Sequence, residues 1–454
     1  MAANLWDNSD LDNDANNANN WSLGTVPAGT DVATFDNTSD ANCLFSGSIS
    51  CAEIDVTADY DGDIDMATFN LTTTGDMTFD GTGIFDCGTG TLTCSGNFDN
   101  QDQGTWTRGE STVVMDGTTK TIISSNSKDL HNLTVSGTVE NSASTSFSLD
   151  VNNDLVVSGT LTLSEALMVL SGSINLTGGT IDGTDELVME GGVFTAGTIG
   201  SGVSVIMRRN VTLNAGTYGG SSWVCEAASG NRTLTLGSGT FVFSGDITFD
   251  ADVSGGTYAV DLGANNPDVE FQSSLTLDET GGGGAALTWI KSSGTVTFGG
   301  ATTYQDNTAA GPQNLGDVDI DGTSLSLASN MDCDNFDGIS GTLTSNSNTI
   351  DCAGNLNWTS GFIVSDVGGS TFLVGGNFTA DGQTVNGLST WALTVTGTAV
   401  ASGSGSVANS DASGGTEIDA SAGPWTDGGS NTNWDFGAVA DDNFAFRHLF
   451  LLTP

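Results

Sequence analysis

Leu133-Thr134-Val135-Ser136-Gly137-Thr138-Val139 returns 22 residues later as Leu155-Val156-Val157-Ser158-Gly159-Thr160-Leu161. Inside Asn132–Leu163 the phrase therefore occurs twice: an alternating strand, a Ser-Gly turn and a second strand. A unit this short cannot bury its apolar face alone, so the recurrence predicts a stack of windings, each resting on its neighbours.

Working outward, the phrase reappears with small edits. Gly75-Asp76-Met77-Thr78-Phe79 is followed 21 residues on by Gly96-Asn97-Phe98, and Gly354-Asn355-Leu356-Asn357-Trp358 is followed 22 on by Gly376-Asn377-Phe378-Thr379. Ser244-Gly245-Asp246-Ile247-Thr248-Phe249 and Ser274-Leu275-Thr276-Leu277 repeat across a longer gap. Strands of fixed length joined by elastic turns are what a solenoid accepts.

Short alternating segments run from Leu44 to about Thr398, among them Thr91–Cys94, Leu161–Leu163, Val211–Leu213, Val296–Phe298 and Phe372–Val374. Apolar residues alternating with Thr predict one buried face and a Thr, Ser, Asn or Asp face outside. Asp182-Gly183 and Asp321-Gly322 suit antiparallel hairpins, and a meander or multiple sandwiches is the competing architecture. Most joints are Ser-Gly, Gly-Gly or Gly-Asn, and a same-phase repeat is met more simply by parallel stacking. The expected fold is all-β, a parallel β-helix (β-solenoid) of roughly 15–18 coils and about 70–90 Å long at ~4.8 Å per coil. Residues 1–45 form an N-terminal cap, 46–400 the solenoid, and 401–454 a C-terminal cap with an apolar tail. Thr302-Thr303-Tyr304-Gln305-Asp306 through Asn314 breaks the rhythm; it divides two segments or forms a side loop, and the loop is the reading taken. Ser164–Leu170 is the lone short helix candidate.

Composition narrows the function. Eight Lys and Arg against 55 Asp and Glu give a net charge of −47, a surface that repels phosphate backbones and anionic headgroups. Nucleic acid is therefore not an expected partner, and no apolar run approaches the length of a membrane span. Disorder is countered by 21 Phe, 9 Trp and abundant Val, Ile and Leu at period 2. The 63 Gly and 5 Pro fit tight turns and uninterrupted strands. Met1-Ala2-Ala3-Asn4-Leu5-Trp6-Asp7 has neither the basic start nor the apolar core of a signal peptide, so release by lysis or a leaderless export route is expected.

Both ends carry a pattern of their own. Asn20-Trp21-Ser22-Leu23-Gly24-Thr25-Val26-Pro27 with Asp31-Val32-Ala33-Thr34-Phe35 resembles the opening module of Gly/Thr-rich β-solenoid proteins of bacteriophage virions and bacterial surfaces. Asp427-Gly428-Gly429-Ser430-Asn431-Thr432-Asn433-Trp434-Asp435-Phe436 is similar to the closing signature of the same group. The resemblance implies a cap leading into a parallel coil, and a place on a virion or at the cell surface. It carries no catalytic residue.

Several residue sets bear chemistry. Asp10, Asp12 and Asp14, and likewise Asp317, Asp319 and Asp321, place three carboxylates at alternate positions, oxygen donors that calcium accepts. The twelfth position, where an EF-hand has Glu, holds Trp21 and Ala328, so the bland reading is a wet strand face. No other cofactor is expected. Cys43, Cys51, Cys87, Cys94, Cys333 and Cys352, with Cys225 as the odd one, show no C-x-x-C. They are small buried hydrophobes or up to three disulfides; Cys333 and Cys352 lie one coil apart, and Cys87 and Cys94 flank a turn. Asn-x-Thr recurs at Asn70, Asn132, Asn175, Asn210 and Asn377, positions read as turn residues stacking coil on coil. Arg208-Arg209 is read as neutralising nearby Asp, and His131 as a turn residue. Phe444, Phe446, Leu449, Phe450, Leu451 and Leu452 make the last dozen residues the most apolar of the chain; they cap the last coil, dock as a strand on a neighbour or signal export.

The expected function is a non-enzymatic structural subunit of an extracellular fibre or virion appendage, self-associating into a homo-oligomer or filament with virion or cell-surface components as further partners. The alternative is a glycan-binding adhesin that stacks sugars on Trp106, Trp223, Trp289 and Trp391, followed by a polysaccharide-cleaving tailspike.

Overall fold

A computed structural model describes residues 1–125, 127–142, 148–226, 230–251, 256–263, 265–279, 286–365 and 367–437. Among them there is no α-helix; the one helical turn is a 3-10 turn at Ala18–Asn20. The strands pair almost wholly in parallel, and together they make about 18 turns of β-solenoid. The chain divides into two compact units, residues 1–267 with 278–290 and residues 268–277 with 291–454.

In the first unit each coil lays strands on three faces. Asn132–Val135, Thr138–Asn141 and Leu149–Val151 make one winding, and Leu155–Val157, Thr160–Leu163 and Leu167–Val169 the next. Leu133 pairs with Leu155, and Val139 with Leu161, so the 22-residue recurrence of the sequence is the coil register. The inward column Leu71, Leu92, Val113, Leu133, Leu155, Ile174, Phe194 and Leu213 runs through eight coils without a break in register. Every one of these side chains is buried, and this column is a main source of the unit's hydrophobic stabilisation. Leu167–Val169 is a strand, which corrects the helix expected at Ser164–Leu170. The segment is too short for helix cooperativity, and its ladder partners lie ready on either side.

The second unit repeats the principle with longer, bent strands. Asp317–Leu327 pairs with Asn335–Thr344 through two register shifts, which lets one strand turn a corner. Val318, Phe336, Leu356 and Phe378 form its buried column. The irregular stretch at 302–314 begins inside a strand, Ala301–Asp306, in which Thr302 and Tyr304 are buried. Only the residues after Asp306 form the side loop, closed by amides of Thr308 and Gln313 donating to the Asp306 carboxylate at 2.9 and 2.6 Å. The division into units falls earlier than this loop.

The opening module belongs to the first unit. Ala2–Leu5 pairs with Asp31–Phe35, so strand stacking starts within the cap. Trp6, Trp21, Phe35 and Tyr60 pack ring on ring at 5.3–6.1 Å and close the end of the core. The Trp21 indole donates to the Ala15 carbonyl at 2.8 Å, and Asn4 clips the loop by donating to Thr25 and accepting from Leu23. These contacts explain why Asn and Trp recur in the module: amides satisfy turn backbone, and large rings fill the open mouth.

Candidate functional site

The chemistry-bearing residues fall in four places. On an outer face of the second unit, Asp317 and Asp319 line a groove of about 340 Å³ with Asp337, Asn335, Asn355, Asn357, Thr295 and Val318. Strand alternation puts these polar residues outside while Val318, Ile320 and Phe336 point in. In register, Asp317 faces Asn335, and Asp319 faces Asp337. The Asn335 amide donates to Asp317 at 2.7 Å and the Asn357 amide to Asp337 at 2.6 Å. Partial burial, then repulsion from Asp337, Asp317, Asp321 and Asp268, pushes the Asp319 carboxyl up to about 6. Asp321 lies beyond the register shift and binds the Ser340 hydroxyl instead.

The N-terminal carboxylates are also engaged. Asp10 accepts from Asn17 and Asn19, Asp12 from Asn17 and Asn20, and Asp14 from Ser46. The Asp14 backbone amide, then Asn20 and Asn17, hold the Asp12 carboxyl below its usual range. Amide and hydroxyl donors thus engage one oxygen each of Asp10 and Asp14 and both of Asp12. No group of three or more His, Cys, Asp or Glu positioned to hold a metal ion occurs among the described residues, and the calcium expectation finds no gathered ligand set at either cluster.

The Asn-x-Thr asparagines act as fasteners. The side-chain amide oxygen of Asn377 accepts the Thr398 backbone N–H at 2.9 Å, and that of Asn355, outside the Asn-x-Thr set, accepts the Asn377 backbone N–H at 2.9 Å. Asn70 does the same for Thr91 and Asn210 for Thr233, whereas Asn175 closes only its own turn on Thr177. None of Asn70, Asn132, Asn175, Asn210 or Asn377 has positive φ, so they were chosen for the amide and not for left-handed backbone.

All seven cysteines are buried and free. Cys51 and Cys94 share one column but have Thr73 between them, two coils apart, about 9.6 Å and beyond disulfide reach. Cys333 and Cys352 are direct register partners with sulfurs 2.9 Å apart.

Trp106, Trp223, Trp289 and Trp391 are 7 % exposed or less, which corrects the expectation that they line an outer flank for sugars. They pack against Phe85, Tyr218, Phe249 and Phe372 instead. The Arg208-Arg209 doublet pairs with Glu190 and Glu226, not with Asp.

The last described coil is held by the closing signature. Asn431 donates to Asp427 and to the Val407 carbonyl, and Asn433 donates to Ala412 and Gly415. Trp434–Asp435 pairs with Ile418–Asp419, and the rings of Trp425, Trp434 and Phe436 follow one another at 5.9 and 6.1 Å. Trp434 and Phe436 are only half-buried. Phe444, Phe446, Leu449, Phe450, Leu451 and Leu452 lie outside the described residues. No described helix is long and apolar enough to cross a membrane.

In-register windings, inward apolar columns and side-chain fasteners define the class: the protein is a parallel β-solenoid. No protein-family model matches the chain, nor does any curated protein or solved structure.

Proposed function

We propose that the chain is a structural β-solenoid subunit of an extracellular fibre or virion appendage, and that it self-associates through its C-terminal end. The observation that carries this reading is the contrast between the ends. Four interlocked aromatic rings close the first, whereas the last described coil leaves Trp434 and Phe436 half-covered just before an apolar peptide. Half-covered aromatic rings beside a strand edge suit docking of a further strand. Repulsion between acidic flanks favours contact at the ends over contact along the sides.

Sedimentation velocity and negative-stain microscopy on the full chain and on a chain ending at Gly437 test the reading. Concentration-dependent oligomers are expected for the full chain and monomers for the shortened one. A full chain that stays monomeric at every concentration overturns it.

A further inference from the structure

We propose that Cys333 and Cys352 are a covalent modification site, forming a disulfide that staples two consecutive coils as the chain folds under oxidising conditions.

The two residues close the parallel strands Met331–Cys333 and Thr349–Cys352 as direct register partners. Parallel neighbours lie ~4.8 Å apart, inside the ~4.4–6.8 Å window of Cα separations that a disulfide spans. Both side chains belong to the core, at 1 % and 0 % exposure, and their sulfurs stand 2.9 Å apart. That is closer than two non-bonded sulfurs ordinarily rest, and the remaining distance to a ~2.05 Å bond is within side-chain rotation. Among the cysteines with register partners in paired strands the pair is singular in this respect, because the column partners of Cys43, Cys51, Cys94 and Cys225 are Ile64, Thr73, Thr73 with Met115, and Met207 with Phe249.

The chemistry is thiol–disulfide exchange with a small-molecule disulfide, for which oxidised glutathione serves as the probe. One protein thiolate attacks it, expelling one glutathione thiolate and leaving a mixed disulfide. The second protein thiol loses its proton to solvent, attacks the protein sulfur of that mixed disulfide and expels the second glutathione. Two S–H bonds break and one protein S–S bond forms. The probe takes up the two electrons and, once its thiolates are protonated, the two protons. Hydrogen bonding to Cys352 and burial push the Cys333 thiol above its usual range, so the closed coil holds a poor nucleophile. Exchange is therefore placed before the coil shuts.

The test refolds the full chain in oxidised or in reduced glutathione, alkylates it under denaturing conditions and maps the peptides. A single linked pair, 333 with 352, and five alkylated cysteines are expected after oxidation, against seven alkylated after reduction. The ring closed by the bond spans about one coil, so the oxidised form melts roughly 5–10 °C higher than the reduced form. In Cys333→Ala that difference disappears; should this variant fail to fold, the peptide map of the unaltered chain decides alone. Seven alkylated cysteines after oxidative refolding, or a bond joining any other pair, overturns the proposal. The proposal stands independently of the functional reading, since neither the bond nor its test involves self-association.

Discussion

Asn355 shows how much of this fold hangs on single polar atoms. Its amide oxygen satisfies the Asn377 N–H of the following coil, and its own backbone N–H is satisfied by Asn335 of the preceding one. Asn355→Ala removes an acceptor from a solvent-exposed backbone donor that water can serve instead, and is expected to cost about 0.5 kcal/mol, the low end for one hydrogen bond, read from urea unfolding midpoints. Asp319 works in the opposite direction. Its carboxyl titrates near 6 in the folded chain, above the ~3.9 of an unfolded one, so the folded state binds the proton more tightly. The stabilisation this gives is full below the unfolded value and is lost as pH rises through about 6. Asp319→Asn should accordingly raise the unfolding free energy at neutral pH by on the order of 1 kcal/mol after solvent screening, seen as a higher melting temperature, with the gain fading toward acid. Chelation offers a third check at this scale. Because Asn17, Asn19 and Asn20 already donate to Asp10 and Asp12, EDTA should leave the melting temperature unchanged.

At the scale of the strand, the two faces differ sharply in what they tolerate. Leu155→Ala opens a hole in an unbroken apolar column and should cost about 2–5 kcal/mol, whereas Thr134→Ala on the wet side of the neighbouring strand should stay within roughly 0.5 kcal/mol. Turns are less forgiving than their composition suggests. Gly341 has φ of +84°, and a Cβ there would run into the Gly322 carbonyl of the preceding coil, so Gly341→Ala should destabilise by more than a kcal/mol or so in the same assay. The alternation that specifies the strands is also what made the solenoid legible in the sequence: Leu133 and Leu155 carry the same phase, and phase becomes register. Where alternation fails, the sequence misleads. Leu167–Val169 reads as helix because Met168 is apolar, yet Met168 stands with Val188, Ile206 and Val224 in a column on the side of the strands away from the core, where Val188 is covered and the other three are half-buried. A face whose outward positions are apolar has no period-2 signal to offer. The tryptophans expected outside are buried for a related reason: indole is hydrophobic bulk first, and nothing local says whether a ring faces in or out. Asparagine clips were anticipated as a class, but the particular donor one coil away is set by register, which only the folded chain supplies.

For the molecule as a whole, charge dominates. A net −47 spread over closely stacked windings repels itself, and salt relieves this by shortening the screening length from ~30 Å at about 0.01 M to ~8 Å at about 0.15 M. The melting temperature should therefore climb over that range of sodium chloride; a flat response would mean that the Asn and Ser donors along the faces already neutralise the acidic columns locally. Acid should act in the same sense as salt. Asp55, Asp80, Asp99, Asp150 and Asp332 are all shifted upward by burial, as Asp319 is, so each is more readily protonated folded than unfolded.

The aromatic plug of Trp6, Trp21, Phe35 and Tyr60 has a temporal consequence as well. Its residues all precede most of the first unit's windings in the chain, so this floor is expected to be complete before most of that core has been translated. From then on each newly emerged segment of about 21 residues meets a completed ladder awaiting one more rung, as Phe98 meets Met77. At ~5–20 residues per second, that is one rung every few seconds. The expected growth of the first unit is therefore like bricklaying, from a sealed foundation upward and in step with synthesis.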